Sequence, residues 1–188
     1  MAEMLKNPEV MIKAQLEVRR ELKGKTSKIK EEEIQGRLSY LKLVINETLR
    51  LHPTITLSPR EPMESCEVSG YTIPRNSRVI INLQAIGRDP NFWDDPDCFK
   101  PERFYGSSIN YKGSNFEYIP FGAGRRICPG ISFALATIEL SLALLLYHFD
   151  WKLPNGMKPA EFDMTEEFGA SVKRKNDLRA IATLVSTA

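Results

Sequence analysis

The sequence is poor in the groups that build metal cages or disulfide frameworks. Of its 188 residues, three are cysteine and two are histidine. Cys66, Cys98 and Cys128 are odd in number and widely spaced, no C-x-x-C pair occurs, and His52 and His148 stand alone. Zinc ligation needs clustered thiolates and imidazoles, and a disulfide scaffold needs paired cysteines. The pattern argues against both and for a reducing compartment. Neither charge is in excess, with 26 Lys and Arg against 24 Asp and Glu, which argues against a nucleic-acid partner. Met1 to Glu21 mixes charges, unlike a signal peptide. There is no internal repeat and no low-complexity tract. One long apolar run, Ile131 to Phe149, is about long enough to cross a bilayer. It carries Ser132, Thr137, Glu139, Ser141 and His148, and a central glutamate is costly in lipid. It is therefore read as a buried core helix, and the chain as carrying no transmembrane span.

Against this background one stretch stands out, Phe121-Gly-Ala-Gly-Arg-Arg-Ile-Cys-Pro-Gly130. It sets a single cysteine in a glycine-rich, arginine-flanked loop directly before the apolar run. Arg125 and Arg126 supply positive charge, and the amides at the start of the following helix would point back at the Cys128 sulfur; both favour a thiolate. Gly122, Gly124 and Gly130 permit tight turns and close approach to a flat ligand. Phe121 could shield the sulfur from water. A shielded, anionic, single cysteine is what an axial iron ligand requires.

The form F-x-x-G-x-R-x-C-x-G, carried by Phe121, Gly124, Arg126, Cys128 and Gly130, resembles the haem-binding loop of the cytochrome P-450 enzymes. Other residues extend the resemblance. Glu47 and Arg50 sit three apart on a helix, a spacing that by itself means a surface salt bridge. Glu47-Thr-Leu-Arg50 also matches the family's E-x-x-R helix, and Pro101-Glu-Arg-Phe104 matches the run that supplies a further arginine, Arg103. The resemblance implies a buried carboxylate shared between Arg50 and Arg103, stable only as a fully hydrogen-bonded set. It further implies haem b with Cys128 as thiolate ligand, held by Phe121, Gly122, Gly124, Arg126 and Gly130, with Arg60 and Arg126 on the haem propionates. The extended segment between Pro53 and Pro59 would pass the distal haem side, so Thr54 to Ser58 would contribute to the substrate pocket, Ile55 and Leu57 foremost. The turn at Phe168, Gly169 and Ala170 would reach the same pocket. Phe168-Gly-Ala followed by Lys173-Arg-Lys-Asn-Asp177 resembles plant microsomal members.

The fold class so implied is mainly α with small β-sheets (α+β), the C-terminal part of the cytochrome P-450 fold, as one partial domain over 1–188. Within it, Asn7 and Pro8 open a helix that ends near Gly24, with Val10, Ala14, Leu16, Val18 and Leu22 on its apolar face. Met1 to Lys6 reads as a tail, and Lys25 to Glu33 as a solvated linker. Leu38 to Leu51 is a second helix, with His52 a polar residue at its end. Glu67 to Leu83 reads as strand, turn, strand, and Ala85 to Arg88 as a helical turn. Phe92 and Trp93 pack inside an irregular region. Tyr105 to Phe116 is loop, Asp150 to Leu153 a short strand, and Val172 to Val185 a return to the sheet. The family's N-terminal membrane helix and the long helix across the distal haem face are expected to lie outside this chain.

The implied parent activity is hydroxylation of a small hydrophobic molecule with O2 and electrons from NADPH–cytochrome P-450 reductase. It would take place at the cytosolic face of the endoplasmic reticulum membrane. Arg125 and Lys112 are candidate reductase contacts. Two alternatives stand beside it. The chain could be a non-catalytic haem-binding or interaction remnant. It could also belong with family members that rearrange hydroperoxides, although an unmodified Phe121–Gly130 loop speaks against this.

Overall fold

Apolar stripes at helical spacing set the frame. The computed structural model describes residues 1–25, 29–169 and 171–185. Its helices are α1 (Ala2–Lys6), α2 (Pro8–Glu21), α3 (Glu31–Ile34), α4 (Ser39–Leu51), α5 (Leu83–Ile86) and α6 (Ile131–His148). Its strands are β1 (Leu57–Arg60), β2 (Cys66–Val68), β3 (Tyr71–Ile73), β4 (Val79–Asn82), β5 (Phe149–Lys152), β6 (Glu166–Glu167), β7 (Lys173–Arg174) and β8 (Ile181–Leu184). Among the described residues the strands form four antiparallel pairs, β1–β4, β2–β3, β5–β8 and β6–β7. Pairs this small do not stand alone in water, so the helices carry the core. The α+β class with small sheets holds.

The main core joins α1, α2, α4 and the C-terminal half of α6 through Met4, Val10, Ala14, Val18, Leu41, Val44 and Leu146. Met1 to Lys6 is thus not a loose tail. Residues 2–6 are helical and bury Met4 and Leu5. Pro8 opens α2, but the Asn7 side chain does not cap it; Asn7 Nδ2 donates back to the Glu3 carbonyl (2.9 Å) and carboxylate (3.0 Å). Leu16 is 65% exposed rather than buried, because it lies across the helix from the i, i+4 stripe of Val10, Ala14 and Val18. The described part of the 25–33 segment is not a solvated linker either. Ile29 is buried, and α3 forms from Glu31 and buries Ile34.

A side chain from α2 caps α4. Leu38 at the N-cap offers no acceptor, and the buried Glu17 carboxylate takes its place. Glu17 Oε1 accepts from the Ser39 hydroxyl (2.9 Å) and the Tyr40 amide (2.8 Å), and Oε2 accepts from the Leu41 amide (2.9 Å). Free first-turn amides and the positive end of the helix both favour such an anion.

In α6 the expected burial is one-sided. The helix is long and apolar enough to cross a membrane, yet only Ala143, Leu146 and Tyr147 are buried, all in its C-terminal half, while Phe133 is 79% exposed. Glu139, midway, lies 3.9 Å from Lys42 Nζ. Burial raises its carboxyl above the ordinary value, opposed by Lys42.

The 67–83 segment resolves into a β2–β3 hairpin, turned at Ser69 and Gly70 with positive φ, and a separate β4 that pairs with β1. In the irregular region Trp93 is buried against Phe104 and Tyr118, with ring centroids 5.6 Å and 6.1 Å away, whereas Phe92 is exposed.

Replacing Glu17 by Ala is expected to lower unfolding free energy by about 1–3 kcal/mol, because buried amide donors lose their acceptor. Urea unfolding of the two proteins measures the difference.

Candidate functional site

The site is assembled on a buried ion network. Glu47 and Arg50 project from α4 and are fully buried. Arg50 Nε and Nη2 donate to the two Glu47 oxygens at 2.8 Å each, in a bidentate fork. Arg50 Nη1 donates to the carbonyls of Gly87 (2.6 Å) and Pro96 (2.7 Å), and Nη2 also to that of Cys98 (3.2 Å). Glu47 Oε1 accepts two further bonds, from Arg103 Nε (2.9 Å) and from the Lys100 amide (2.8 Å). Arg103 then donates to the carbonyls of Asp94 (2.7 Å), Asp95 (3.2 Å) and Cys98 (3.2 Å). Two cations and one anion thus leave water with their polar atoms engaged, the condition under which such burial is tolerated. The Arg50 and Arg103 guanidiniums stack on the Trp93 ring at 5.2 Å and 5.9 Å. Gly87 admits this packing: a Cβ there would stand 2.5 Å from the Arg50 carbonyl oxygen.

Tyr118 leads from this network into the cysteine loop. Its hydroxyl donates to the Asn46 carbonyl (2.9 Å), and burial together with the Glu47 charge holds the phenol well above its ordinary value. The loop then closes on itself. The Gly122 amide donates to Ile119 O (2.9 Å), the Ile127 amide to Gly124 O (3.1 Å) across a 3-10 turn, and the Cys128 amide to Phe121 O (2.9 Å). Gly122 and Gly124 have φ of 77° and 67°, the left-handed region that glycine alone enters without strain. Phe121 meets Tyr111 edge-on at 6.0 Å. Gly130 caps α6, so the positive helix end begins just past Cys128.

Cys128 opens onto a cavity of about 450 Å³ whose lining includes Arg126, Arg60, Phe121, Gly122, Ile55, Thr54 and Ser58. Gly124 and Gly130 shape the loop without lining this space. Leu57, Phe168 and Gly169 do not line it, and Leu57 is half-exposed. The phase of β1 explains Leu57. Ser58 is buried and faces the cavity, and adjacent strand residues point to opposite faces. Phe168 is exposed, and Ala170 of the same turn lies outside the described residues. The segment still meets the cavity wall, because the Val172 amide donates to Thr54 O (2.8 Å). Leu49 and Leu83 also line the cavity. Leu49 occupies a position that the Glu47–Arg50 motif leaves open and Leu83 belongs to no motif, so nothing in the sequence points either of them at the cavity.

The architecture is that of solved cytochrome P-450 structures. A solved structure of a zebra fish cytochrome P-450 with abiraterone aligns with a TM-score of 0.84 at 26% identity, covering 98% of this chain and 42% of that one. The sequence model of the cytochrome P-450 family matches residues 1–178. The chain belongs to the cytochrome P-450 family. It is 63% identical over 97% of its length to melianol synthase of Ailanthus altissima, covering 35% of that protein. It is likewise 63% identical over 98% of its length to desmethyl-deoxy-podophyllotoxin synthase of Sinopodophyllum hexandrum, covering 36% of it. To tabersonine 6,7-epoxidase isoform 1 of Catharanthus roseus it is 56% identical over 96% of its length, covering 35% of that protein. The chain therefore spans about a third of the length of these curated relatives.

Changing Glu47 to Gln leaves two buried guanidiniums without their counter-charge. It is expected to cost about 3–5 kcal/mol, read as a lowered urea midpoint and loss of the near-ultraviolet signal of Trp93.

Proposed function

We propose that this chain is the haem-thiolate portion of a plant monooxygenase, with Cys128 as axial iron ligand. The observation that carries the reading is the convergence of Cys128, Arg126 and Arg60 on one cavity with largely apolar walls. The donor set fits haem. A lone sulfur on a turn-bounded loop offers one anionic ligand. Two guanidiniums suit two propionate carboxylates, and among the described residues neither is paired with a carboxylate of the chain. Leu49, Ile55, Leu83, Pro120 and Phe121 offer apolar contact to a flat macrocycle. When bound, haem with thiolate ligation supplies oxygen activation and insertion into an unactivated bond.

The chain's own residues do the holding. The Cys128 amide, tied to Phe121 O, fixes the loop that carries the sulfur. The N-terminal end of α6 and the nearby arginines place positive potential beside the sulfur. Arg60 and Arg126 anchor the propionates. Thr54, Ile55 and Ser58 form a wall against which a substrate packs and from which it is oriented.

The similar plant proteins are named as synthases of melianol and desmethyl-deoxy-podophyllotoxin and as a tabersonine epoxidase. By that likeness we assign a small hydrophobic specialised metabolite as substrate, O2 as co-substrate and NADPH–cytochrome P-450 reductase as electron donor. The activity would be located at the cytosolic face of the endoplasmic reticulum membrane. Arg125 and Lys112, both exposed near the cysteine loop, are the candidate reductase contacts. These are properties of relatives about three times longer than this chain, and the 188 residues alone are expected to hydroxylate nothing. A second reading, haem binding without turnover, is favoured by the solvent exposure of Cys128.

The test is a reduced, carbon monoxide-bound difference spectrum of the chain reconstituted with haem. A strongly red-shifted Soret band is expected, and Cys128→Ala is expected to abolish it. An identical spectrum for the alanine variant would falsify the ligand assignment, and peroxide-driven turnover by the 188-residue chain would overturn its expected inactivity and the second reading with it.

A further inference from the structure

His52, at the end of α4, bridges two carboxylates from opposite ends of the chain. Its Nε2 lies 2.7 Å from Glu3 Oε1 on α1, and its Nδ1 lies 2.7 Å from Glu166 Oε1 on β6. The side chains of Glu3, Glu166 and His52 are 10%, 18% and 26% exposed, so the pairs are largely shielded from solvent. A neutral imidazole has one N–H and can donate to only one of the two carboxylates. The imidazolium donates to both.

We infer that protonated His52 is a positioning residue, a latch that holds the β6–β7 hairpin against the wall of the Cys128 cavity and releases it as pH rises. The mechanical links are explicit. Glu166 also accepts from Gln84 Nε2 (3.2 Å). The Gln84 and Leu83 amides donate to Thr56 O (3.4 and 2.8 Å), and the Val172 amide, just before β7, donates to Thr54 O (2.8 Å). His52 therefore ties α1, α4 and β6 at one point, and the residues tied to β6 and β7 are those flanking Ile55 in the cavity wall.

Other charges face the same point. Lys173 and Arg174 of β7 and the Met1 amino group share with His52 a small cavity of about 230 Å³. Lys173 is 3.6 Å from Glu167. Arg174 donates to Asp163 O (2.7 Å) and stacks on Phe162 at 4.4 Å. Burial pushes the Met1 amino group down to about 6, against the pull of Glu3. When protonated, His52 donates to both Glu3 and Glu166. Burial opposes its charge, but the bonds to Glu3 and then Glu166 outweigh burial and raise His52 above its ordinary value. A raised folded-state value means that the latch contributes fully below the unfolded value of ~6.5. Its contribution is lost as pH climbs through the folded value.

The latch does not depend on what the cavity binds, so it is tested on the haem-free 188-residue chain. With two histidines in the sequence, His148→Gln assigns the imidazole signals for NMR titration. His52 is expected to titrate above ~6.5, and Glu166→Gln is expected to lower that point. Exchange at the Val172 and Lys175 amides, corrected for intrinsic pH dependence, is expected to become about tenfold faster across the His52 titration. This step should be absent in His52→Gln. A His52 that titrates at or below ~6.5, or exchange profiles that superimpose in wild type and His52→Gln, would overturn the latch. Should His52→Gln not fold, the Glu166→Gln titration decides: an unchanged His52 refutes the contact.

Discussion

One buried carboxylate organises the chain. Glu47 receives a bidentate fork from Arg50, a bond from Arg103 and the Lys100 amide. Burying a carboxylate uncompensated costs several kcal/mol, so these partners are a condition of folding rather than an addition to it. Because the arginines spend their remaining donors on main-chain carbonyls of Gly87, Asp94, Asp95, Pro96 and Cys98, the network also fixes a stretch of irregular backbone that has no ladder of its own. Residues 87–100 are held by these side-chain donors together with short backbone turns at Asp89 and Asp95, in place of a continuous ladder.

The same network reaches the cysteine loop through contiguous contacts. Trp93 lies under both guanidiniums and beside Phe104 and Tyr118. Tyr118 is bonded to the backbone of α4 at Asn46, one residue from Glu47. Three residues later the chain enters the turn that carries Cys128. On the other side, Gly113 packs against Ala123 and Ile127 so closely that a Cβ would come within 3.1 Å of Ala123 Cα, and its φ is +84°. The loop is braced from the network side by aromatic packing and from the 111–113 side by close backbone approach. Preorganisation of this kind is what a ligand loop needs if its geometry is not to be supplied by the ligand itself.

What the sequence discloses and what it hides divide along physical lines. Glu47, Arg50 and Arg103 were readable because three charged residues in two short motifs report a shared buried site, although the helical spacing of Glu47 and Arg50 alone means only a surface pair. The turn glycines of the cysteine loop were readable because positive φ restricts residue choice. The phase of β1 was not. Whether Leu57 or Ser58 faces inward is set by pairing with Ile81 and Asn82, which a four-residue stretch does not encode. Nor was the setting of His52, whose partners lie 49 and 114 positions away. The Glu17 cap escaped for the same reason, since helix starts are read from neighbouring residues and this one is capped from another helix. Leu16 shows the reverse error: apolar character was read as burial where the helical angle places the residue in solvent.

The distribution of burial along α6 bears on how the site is held. Its buried residues, Ala143, Leu146 and Tyr147, are at the end remote from Cys128, and the first turns, with Phe133, are largely exposed. The helix end next to the cysteine therefore gains little from core packing within the described residues. Stiffness at the loop must come from the other direction, from the Glu47 network through Trp93 and Tyr118 and from the 111–113 contact. The helix supplies its dipole and its terminal amides, which act without being buried. The two contributions are separable. A change in the network would disturb where the sulfur sits, whereas a change in the first turn of α6 would alter the field of the helix end without moving the loop.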